Sequence, residues 1–155
     1  MVKIAQAASI DDIATIRVLF REYQELLGVD LCFQGFEAEV SGLPGDYAPP
    51  GGRLLLANHG DTPVGCVALR RVEASRSEMK RLFVRPVVRG LGVGRALVEF
   101  VLDEARAIGY SEIVLDTLPS MKEAQQLYER FGFREIPPYR SNPITGTRYL
   151  GKRLL

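Results

Sequence analysis

The sequence has little of what metal, thiol and disulfide chemistry require. Its 155 residues include one histidine, two cysteines and no tryptophan. His59 lies in a predicted turn, so neither a zinc site nor a Ser-His-Asp triad is expected. Two scattered cysteines, Cys32 and Cys66, do not form a disulfide framework, and Cys66 is expected to be a small buried hydrophobe. We therefore expect no metal.

Neither the charge nor the hydrophobic pattern indicates nucleic acid or a membrane. The formal net charge is +1, which gives no overall attraction to a polyanion. No apolar run reaches the ~18 residues of a membrane span, and the N-terminus lacks the apolar run of a signal peptide. We expect one domain over residues 1–155, in the cytoplasm, with no nucleic-acid or membrane partner.

The most informative stretch reads MKRLFVRPVVRGLGVG and spans residues 79–94. Its first half predicts a strand that ends at Pro86, because proline cannot donate to a ladder. Its second half places three glycines directly before a helical pattern: Gly90, Gly92 and Gly94. Amides left bare at a helix N-terminus form an anion cradle suited to a pyrophosphate. Arg89 and Arg95 flank it, and arginine forks bind phosphate oxygens.

Three other interpretations of the glycines are weaker. A tight turn needs only one or two glycines and no flanking arginines. A dinucleotide-binding unit needs G-x-G-x-x-G directly after the strand. Here Arg95 occupies the place of the third glycine, and residues 85–89 separate the strand from the loop. A Walker loop is excluded because no Gly-Lys-Ser/Thr follows.

The remaining patterns give a mixed α/β order of elements. They predict a strand at 2–5, a helix between Ser9 and Gly28, a short helix at 36–40, a hairpin of 53–57 with 63–72, a helix ending at Gly109, and strands at 112–118, 133–136 and 147–150. The 112–118 strand is expected to pair parallel to the 79–84 strand through a right-handed crossover. Ser120 is expected to cap another helix in a capping box. The Pro- and Gly-rich loop 44–52 is long enough to frame a site.

Two motifs together give a resemblance to a known family. Arg89-x-x-Gly92-x-Gly94 follows a strand, and Tyr128-x-x-x-Gly132-Phe133 lies one strand and one helix later. This pairing resembles the GNAT superfamily of acyl-CoA-dependent N-acetyltransferases, closely over the second half and by order of elements over the first. The resemblance implies one mixed, mostly antiparallel sheet of about six to seven strands, with a splayed central parallel pair and about four flanking helices.

The same resemblance implies acetyl-CoA or coenzyme A as cosubstrate. The diphosphate would rest on the amides of residues 89–95. The pantetheine arm would lie in the splay, against backbone groups of the central strand. The implied cofactor-binding residues are Leu82, Phe83, Val84, Arg89, Gly90, Leu91, Gly92, Val93, Gly94, Arg95, Thr117, Ala124 and Tyr128. Thr117 stands where many family members keep an asparagine.

Three residues match catalytic positions of the family. The Leu82 amide would face the thioester oxygen, a contribution of typically ~3–4 kcal/mol to transition-state stabilisation. Tyr128 matches the tyrosine that protonates the leaving thiolate, although a tyrosine on an apolar stripe is more often a core residue. Glu78 matches a glutamate that is the general base in several members. A strand-edge surface carboxylate, with a water chain as the base, is the alternative.

The resemblance implies transfer of an acetyl group to a primary amine of a small molecule or peptide, by direct attack in a ternary complex. No cysteine occupies a motif position, which agrees with direct transfer. A catalytically idle acyl-CoA-binding sensor is the alternative, but a sensor has no use for a thiolate acid. The candidate acceptor wall comprises Arg17, Tyr23, Tyr47, Tyr139 and Arg140. Family members are often dimers, so a homodimer is compatible with the resemblance.

Overall fold

The computed structural model describes residues 2–31 and 35–155, so Cys32 lies outside the described residues. In chain order these residues form β1 Val2–Gln6, α1 Ile10–Leu27, α2 Phe36–Ser41, β2 Arg53–His59, β3 Thr62–Glu73, β4 Arg76–Val84, α3 Val93–Ile108, β5 Glu112–Thr117, α4 Lys122–Arg130, β6 Arg134–Glu135 and β7 Arg148–Arg153. Within the described ranges, none of the helices has the length and apolar character of a membrane span.

Local sequence explains most of the helix ends. The Ser9 hydroxyl accepts a hydrogen bond from the Asp12 N–H at 3.0 Å and completes a capping box at the start of α1. Gly28 ends α1 and Gly109 ends α3, each with a left-handed φ. The predicted cap at Ser120 is wrong, because α4 begins after Met121 with no side-chain cap.

The segment before α4 explains that correction. The Leu118 carbonyl accepts hydrogen bonds from the Met121 N–H at 3.0 Å and from the Gln125 side-chain amide at 2.8 Å. These bonds close a turn over Pro119 and Ser120, so Ser120 is a turn residue and the helix begins beyond it.

The described strands form one mixed sheet in the order β1-β2-β3-β4-β5-β7-β6. Among the described strands, only the β4–β5 pair is parallel, which confirms the predicted mostly antiparallel sheet with a parallel central pair. The last strand, β7, lies between β5 and β6. β7 pairs with all of β5, from Glu112 to Thr117. The two-residue strand β6 pairs with a much shorter part of β7.

The central parallel pair opens after a short contact, as predicted. β4 and β5 pair only from Arg76 to Glu78, and β4 diverges from there on. Along β3, Cys66 lies opposite Phe83 while Ala68 lies opposite Lys80, so β4 carries one extra residue. Arg81 lies within this bulge and has a φ of 59°. The bulge bends β4 away from its parallel neighbour.

The sheet separates two hydrophobic clusters. Helices α3 and α4 cover one face, and α1 and α2 cover the other. At the splay, β4 contributes to both, because Leu82 and Val84 pack on the α3–α4 face and Phe83 belongs to the α1–α2 cluster. The opening between β4 and β5 is therefore accessible from both faces of the sheet.

Candidate active site

A groove on the α3–α4 face runs from the start of α3 to the splay. It is lined by the end of β4, the glycine loop, the first turn of α3, one side of α4 and the last turn of α1. Ten of the predicted cofactor residues line it: Leu82, Phe83, Val84, Arg89, Gly90, Gly92, Val93, Gly94, Arg95 and Ala124. Sequence reasoning missed Leu26, Leu27, Val88, Ser120, Met121, Lys122, Glu123, Gln126, Leu127, Arg130 and Phe131.

The glycine loop leaves the start of α3 uncovered. Gly92 is the N-cap and makes no side-chain cap, and its carbonyl accepts the first helical bond from the Ala96 N–H at 3.0 Å. Gly90 and Gly92 have φ values of 88° and 78°, which strain any residue with a Cβ. A Cβ at either position would meet nothing within 4 Å. The first-turn amides are thus available to an anion, and the residues fit a diphosphate.

The charge of the groove agrees with an anionic ligand. Its lining contains four cations and one carboxylate: Arg89, Arg95, Lys122, Arg130 and Glu123. Arg95 also contacts Glu99 at 3.2 Å, but both side chains are exposed and such a pair is weak. Positive side chains around a set of bare amides favour phosphate groups.

The groove ends in a smaller cavity at the splay. Its lining comes from α1, β4, β5, α4 and their flanking segments: Tyr23, Leu27, Leu31, Met79, Lys80, Arg81, Leu82, Leu115, Asp116, Leu118, Met121, Tyr128 and Asn142. Leu82, the predicted oxyanion donor, lines the groove and the cavity alike, as do Tyr23, Leu27 and Met121. The cavity therefore adjoins the groove along a shared rim that includes Leu82.

Tyr128 reaches this cavity from α4. The side chain is 4% exposed, and its ring lies 5.7 Å from that of Phe133, centroid to centroid. Burial raises the pKa of Tyr128 above its ordinary value, and the neighbouring Tyr23 and Asp116 raise it further. The phenol therefore keeps its proton at neutral pH and can donate it.

Glu78 is fully buried and held by strong donors. Its Oε1 accepts from Arg70 Nε at 2.8 Å, and its Oε2 accepts from the Tyr139 hydroxyl at 2.6 Å and from Arg140. Burial acts to raise the pKa of Glu78, but Lys80, Arg140, Tyr139 and Arg70 together keep it below its ordinary value. Glu78 thereby ties β3 and the segment before β7 to β4.

The predicted acceptor-wall residues divide into two groups. Tyr23 lines the cavity and packs edge-on against Phe83, with centroids 6.2 Å apart. Tyr139 and Arg140 contact Glu78. Arg17 instead donates to the Val40 carbonyl at 3.0 Å and connects α1 to α2. Tyr47 is buried in the α1–α2 cluster. Neither Arg17 nor Tyr47 is in the cavity lining.

The other three predicted cofactor residues lie outside the groove lining. Leu91 is 66% exposed on the glycine loop, and Tyr128 is in the cavity. Thr117, at the end of β5, is 3% exposed, and its hydroxyl has no hydrogen-bond partner among the described residues. A buried hydroxyl without a partner is costly, so Thr117 carries a polar group whose hydrogen bond the described residues do not supply.

Sequence reasoning also missed the polar lining of the cavity: Lys80, Arg81, Asp116 and Asn142. Arg81 binds Glu39 through two hydrogen bonds of 2.9 Å each. Burial, then repulsion from Arg81, lowers the pKa of Lys80 to about 8. Strict alternation along β4 would place Lys80 and Arg81 on opposite faces, and only the bulge changes that. Within residues 2–31 and 35–155, no three His, Cys, Asp or Glu side chains are grouped to hold a metal ion.

Comparisons with known proteins agree with this geometry. Residues 16–133 match the family described as Acetyltransferase (GNAT) family. Over 142 residues the chain is 40% identical to an uncharacterized N-acetyltransferase of Schizosaccharomyces pombe, an alignment that covers 90% of this chain and 86% of that protein.

Solved structures give the same picture. A GNAT-family acetyltransferase of Staphylococcus aureus superimposes with a TM-score of 0.83 at 23% identity, over 100% of each chain, and this likeness concerns the fold. The N-acetylglutamate synthase of Neisseria gonorrhoeae, complexed with coenzyme A and N-acetyl-glutamate, superimposes with a TM-score of 0.73 at 26% identity. That likeness covers 100% of this chain and 35% of the synthase chain.

Proposed function

The chain belongs to the acetyltransferase (GNAT) family, and from that premise we propose direct transfer of an acetyl group from acetyl-CoA to a primary amine. Family membership makes it an acetyl-CoA-dependent acyltransferase. The acceptor class, a small molecule or peptide, and the ternary-complex mechanism are the finer part of the proposal. The observation that carries it is the meeting of groove and cavity at Leu82, where two substrates can approach from opposite faces of the sheet.

The residues of the groove are assigned to the cosubstrate. The amides between Arg89 and Arg95 hold the diphosphate, and a helix N-terminus contributes roughly 0.3–1 kcal/mol, or up to ~2 when partly buried. Several amides together are therefore needed. Beyond Glu78, β4 is no longer paired with β5, so the backbone of residues 82–84 can pair with the pantetheine arm as with an added strand. Leu91, Thr117 and Ala124 complete the proposed contacts.

Two residues act on the thioester. The Leu82 N–H donates to the oxygen as negative charge develops there, a contribution of typically ~3–4 kcal/mol. Tyr128 gives its phenol proton to the leaving sulfur, and its raised pKa keeps the proton in place until that sulfur becomes basic. The amine nitrogen forms its bond to the carbonyl carbon as the carbon–sulfur bond breaks.

The acceptor side is assigned to residues around the cavity. Tyr23, Tyr139 and Arg140 form its wall, with Arg17 and Tyr47 supporting them through packing. That Glu78 removes the amine proton stays a prediction. Its three donors and lowered pKa favour a positioning role, in which it holds Tyr139 and Arg140 in place.

Calorimetry with coenzyme A, followed by thiol release from acetyl-CoA with a panel of primary amines, tests the proposal. Tyr128→Phe should lower kcat about 10²- to 10³-fold and leave the Kd for coenzyme A nearly unchanged. Tyr110→Phe is the control, because Tyr110 is equally buried but its hydroxyl binds the Gly51 carbonyl away from the cavity.

The outcomes separate the rival functions. Binding of acetyl-CoA without transfer to any amine would favour the sensor. Equal turnover in Tyr128→Phe would remove Tyr128 from the mechanism. If coenzyme A does not bind, the proposal as a whole fails.

A further inference from the structure

Asp116 lines the cavity at the splay. It is the last residue but one of β5, on the opposite side of the splay from Lys80 and Leu82, and it lines the cavity together with them and Tyr128. Within the described part of the chain it is the only carboxylate in that lining. A carboxylate beside the proposed proton donor and oxyanion donor is placed where an incoming amine must pass.

The contacts of Asp116 leave its carboxylate available. Among the described residues, Asp116 accepts a hydrogen bond from the neutral Asn142 side chain, with Nδ2 donating at 3.4 Å. Asn142 is itself oriented, because its Oδ1 accepts from the Ile144 N–H at 2.9 Å. Glu78, in contrast, accepts from two arginines and a tyrosine. The remaining lone pairs of Asp116 can therefore accept hydrogen bonds from an ammonium group.

Strand alternation fixes the face on which Asp116 lies. Ile113 and Leu115 belong to the cluster under α3 and α4. Successive side chains of a strand alternate, so Asp116 lies on the α1–α2 face, opposite the groove. An amine held by Asp116 would thus approach the carbonyl carbon from the face opposite the cosubstrate.

Four tyrosines and two basic side chains lie around Asp116. They are Tyr23 from α1, Tyr128 from α4, Tyr139 and Tyr149 from the C-terminal segment, and Lys80 and Arg81 from β4. Burial raises the pKa of each of these tyrosines, and the charge of Asp116 raises it further. Lys80 has its pKa lowered to about 8 and adds a cation below that pH. Asp116 is thus the available proton acceptor in this group.

We propose that Asp116 binds the ammonium group of the acceptor and removes one proton from it, a role that rests on the proposed acetyltransferase function. The freed lone pair forms the N–C bond, the C–S bond breaks, and Tyr128 protonates the sulfur. The second proton that the nitrogen loses returns to the Tyr128 oxygen. Asp116 releases its proton to solvent, so the products are the amide, the thiol of coenzyme A and one proton.

The test compares Asp116→Asn with Glu78→Gln, using the best amine of the panel over a range of pH. Asp116→Asn should lower kcat/KM about 10²- to 10³-fold at pH 7, and this loss should shrink as the pH is raised towards the pKa of the amine, since less ammonium then remains to be deprotonated. The loss of kcat/KM in Glu78→Gln should not shrink with rising pH in this way. The Kd for coenzyme A, measured by calorimetry, should be the same in wild type and Asp116→Asn, which also verifies that the variant folds. Asp116→Ala is a second variant at the same position, to be measured in the same assays.

A second substrate distinguishes proton removal from simple binding. A fluorinated amine that is already neutral at pH 7 needs no base. With this amine, the loss of kcat/KM in Asp116→Asn should therefore shrink to within about tenfold. Equal losses with both amines, a loss in Asp116→Asn that does not change with pH, or the same pH-dependent loss in Glu78→Gln would each overturn the assignment. A wild-type protein that binds acetyl-CoA but acetylates no amine would instead overturn the proposed function itself.

Discussion

The two faces of the sheet at the splay present different chemistry to a ligand. On the α3–α4 face, the groove offers backbone amides from a glycine loop and an uncapped helix, with exposed cations around them. On the α1–α2 face, the cavity is lined by the charged side chains of Lys80, Arg81 and Asp116. On β4, the buried Arg81 pairs with Glu39, and the buried Glu78 pairs with Arg70. One face is an open scaffold of bare amides, and the other is a closed network of charged side chains.

This difference predicts unequal responses to mutation. Backbone amides survive side-chain replacement, so the groove should tolerate most changes except those at its glycines. Buried charges are stable only when paired, so removal of one partner leaves a desolvated charge behind. The acceptor side should therefore suffer the larger losses of stability.

The largest expected effect is at Glu39, the partner of Arg81. The Arg81 side chain is 3% exposed and that of Glu39 16%. Glu39→Ala should lower the free energy of unfolding by about 3–5 kcal/mol, because Arg81 stays buried without its carboxylate. Urea unfolding measures the change.

Glu37 provides the matched control on the same helix. It pairs with Arg21, but the two side chains are 68% and 47% exposed. Glu37→Ala should cost less than about 1 kcal/mol. Similar losses of unfolding free energy in Glu39→Ala and Glu37→Ala would mean that burial of the ion pair does not set the cost of removing its carboxylate.

The next effect concerns Lys80 and pH. Its pKa is about 8 in the folded protein against 10.5 ordinarily, so the unfolded chain binds more protons between those values. Stability rises with pH wherever the unfolded state binds more protons. Relative to Lys80→Met, the wild-type free energy of unfolding should therefore rise by about 2 kcal/mol from pH 7 to pH 9.5.

Urea unfolding of the two proteins side by side measures that rise. The comparison cancels the tyrosines, which titrate in both proteins. A constant difference between wild type and Lys80→Met across this range would show that Lys80 keeps its ordinary pKa.

The same contrast explains what could be predicted from the sequence. The parallel pair, the bounds of α1 and α3 and the glycine cradle all depend on local signals. Gly28, Gly92 and Gly109 each mark a helix end through a φ that side chains disfavour. Conformational signals of this kind can be read within a few residues.

The acceptor side depends instead on contacts between distant residues. Arg81 binds Glu39 across 42 positions, and Arg140 binds Glu78 across 62. No local pattern marks such pairs, and the bulge at Arg81 shifts the alternation that would assign faces. The Ser120 error has a similar cause, since the turn that replaces the cap depends on Gln125 reaching back to Leu118.

A third prediction concerns the groove and uses the two ends of α3. Gly92 and Gly109 both have left-handed φ values and free space for a Cβ. Alanine at either position should cost about 1–2 kcal/mol of stability. Only Gly92→Ala should weaken coenzyme A binding, by about tenfold, because strain there moves the first-turn amides. Calorimetry measures the Kd. Equal weakening of coenzyme A binding by Gly109→Ala would show that this binding does not depend on the glycine loop.

The smallest expected effect is at Thr117, whose buried hydroxyl has no partner among the described residues. Thr117→Val keeps the branched shape and removes that group, so the free energy of unfolding should rise by about 1 kcal/mol. If the hydroxyl binds the cosubstrate, the Kd for coenzyme A should rise about threefold, the value of one modest hydrogen bond. Greater stability with an unchanged Kd would assign Thr117 to the sheet alone. The groove would then bind its ligand through the β4 backbone and the glycine loop, without help from β5.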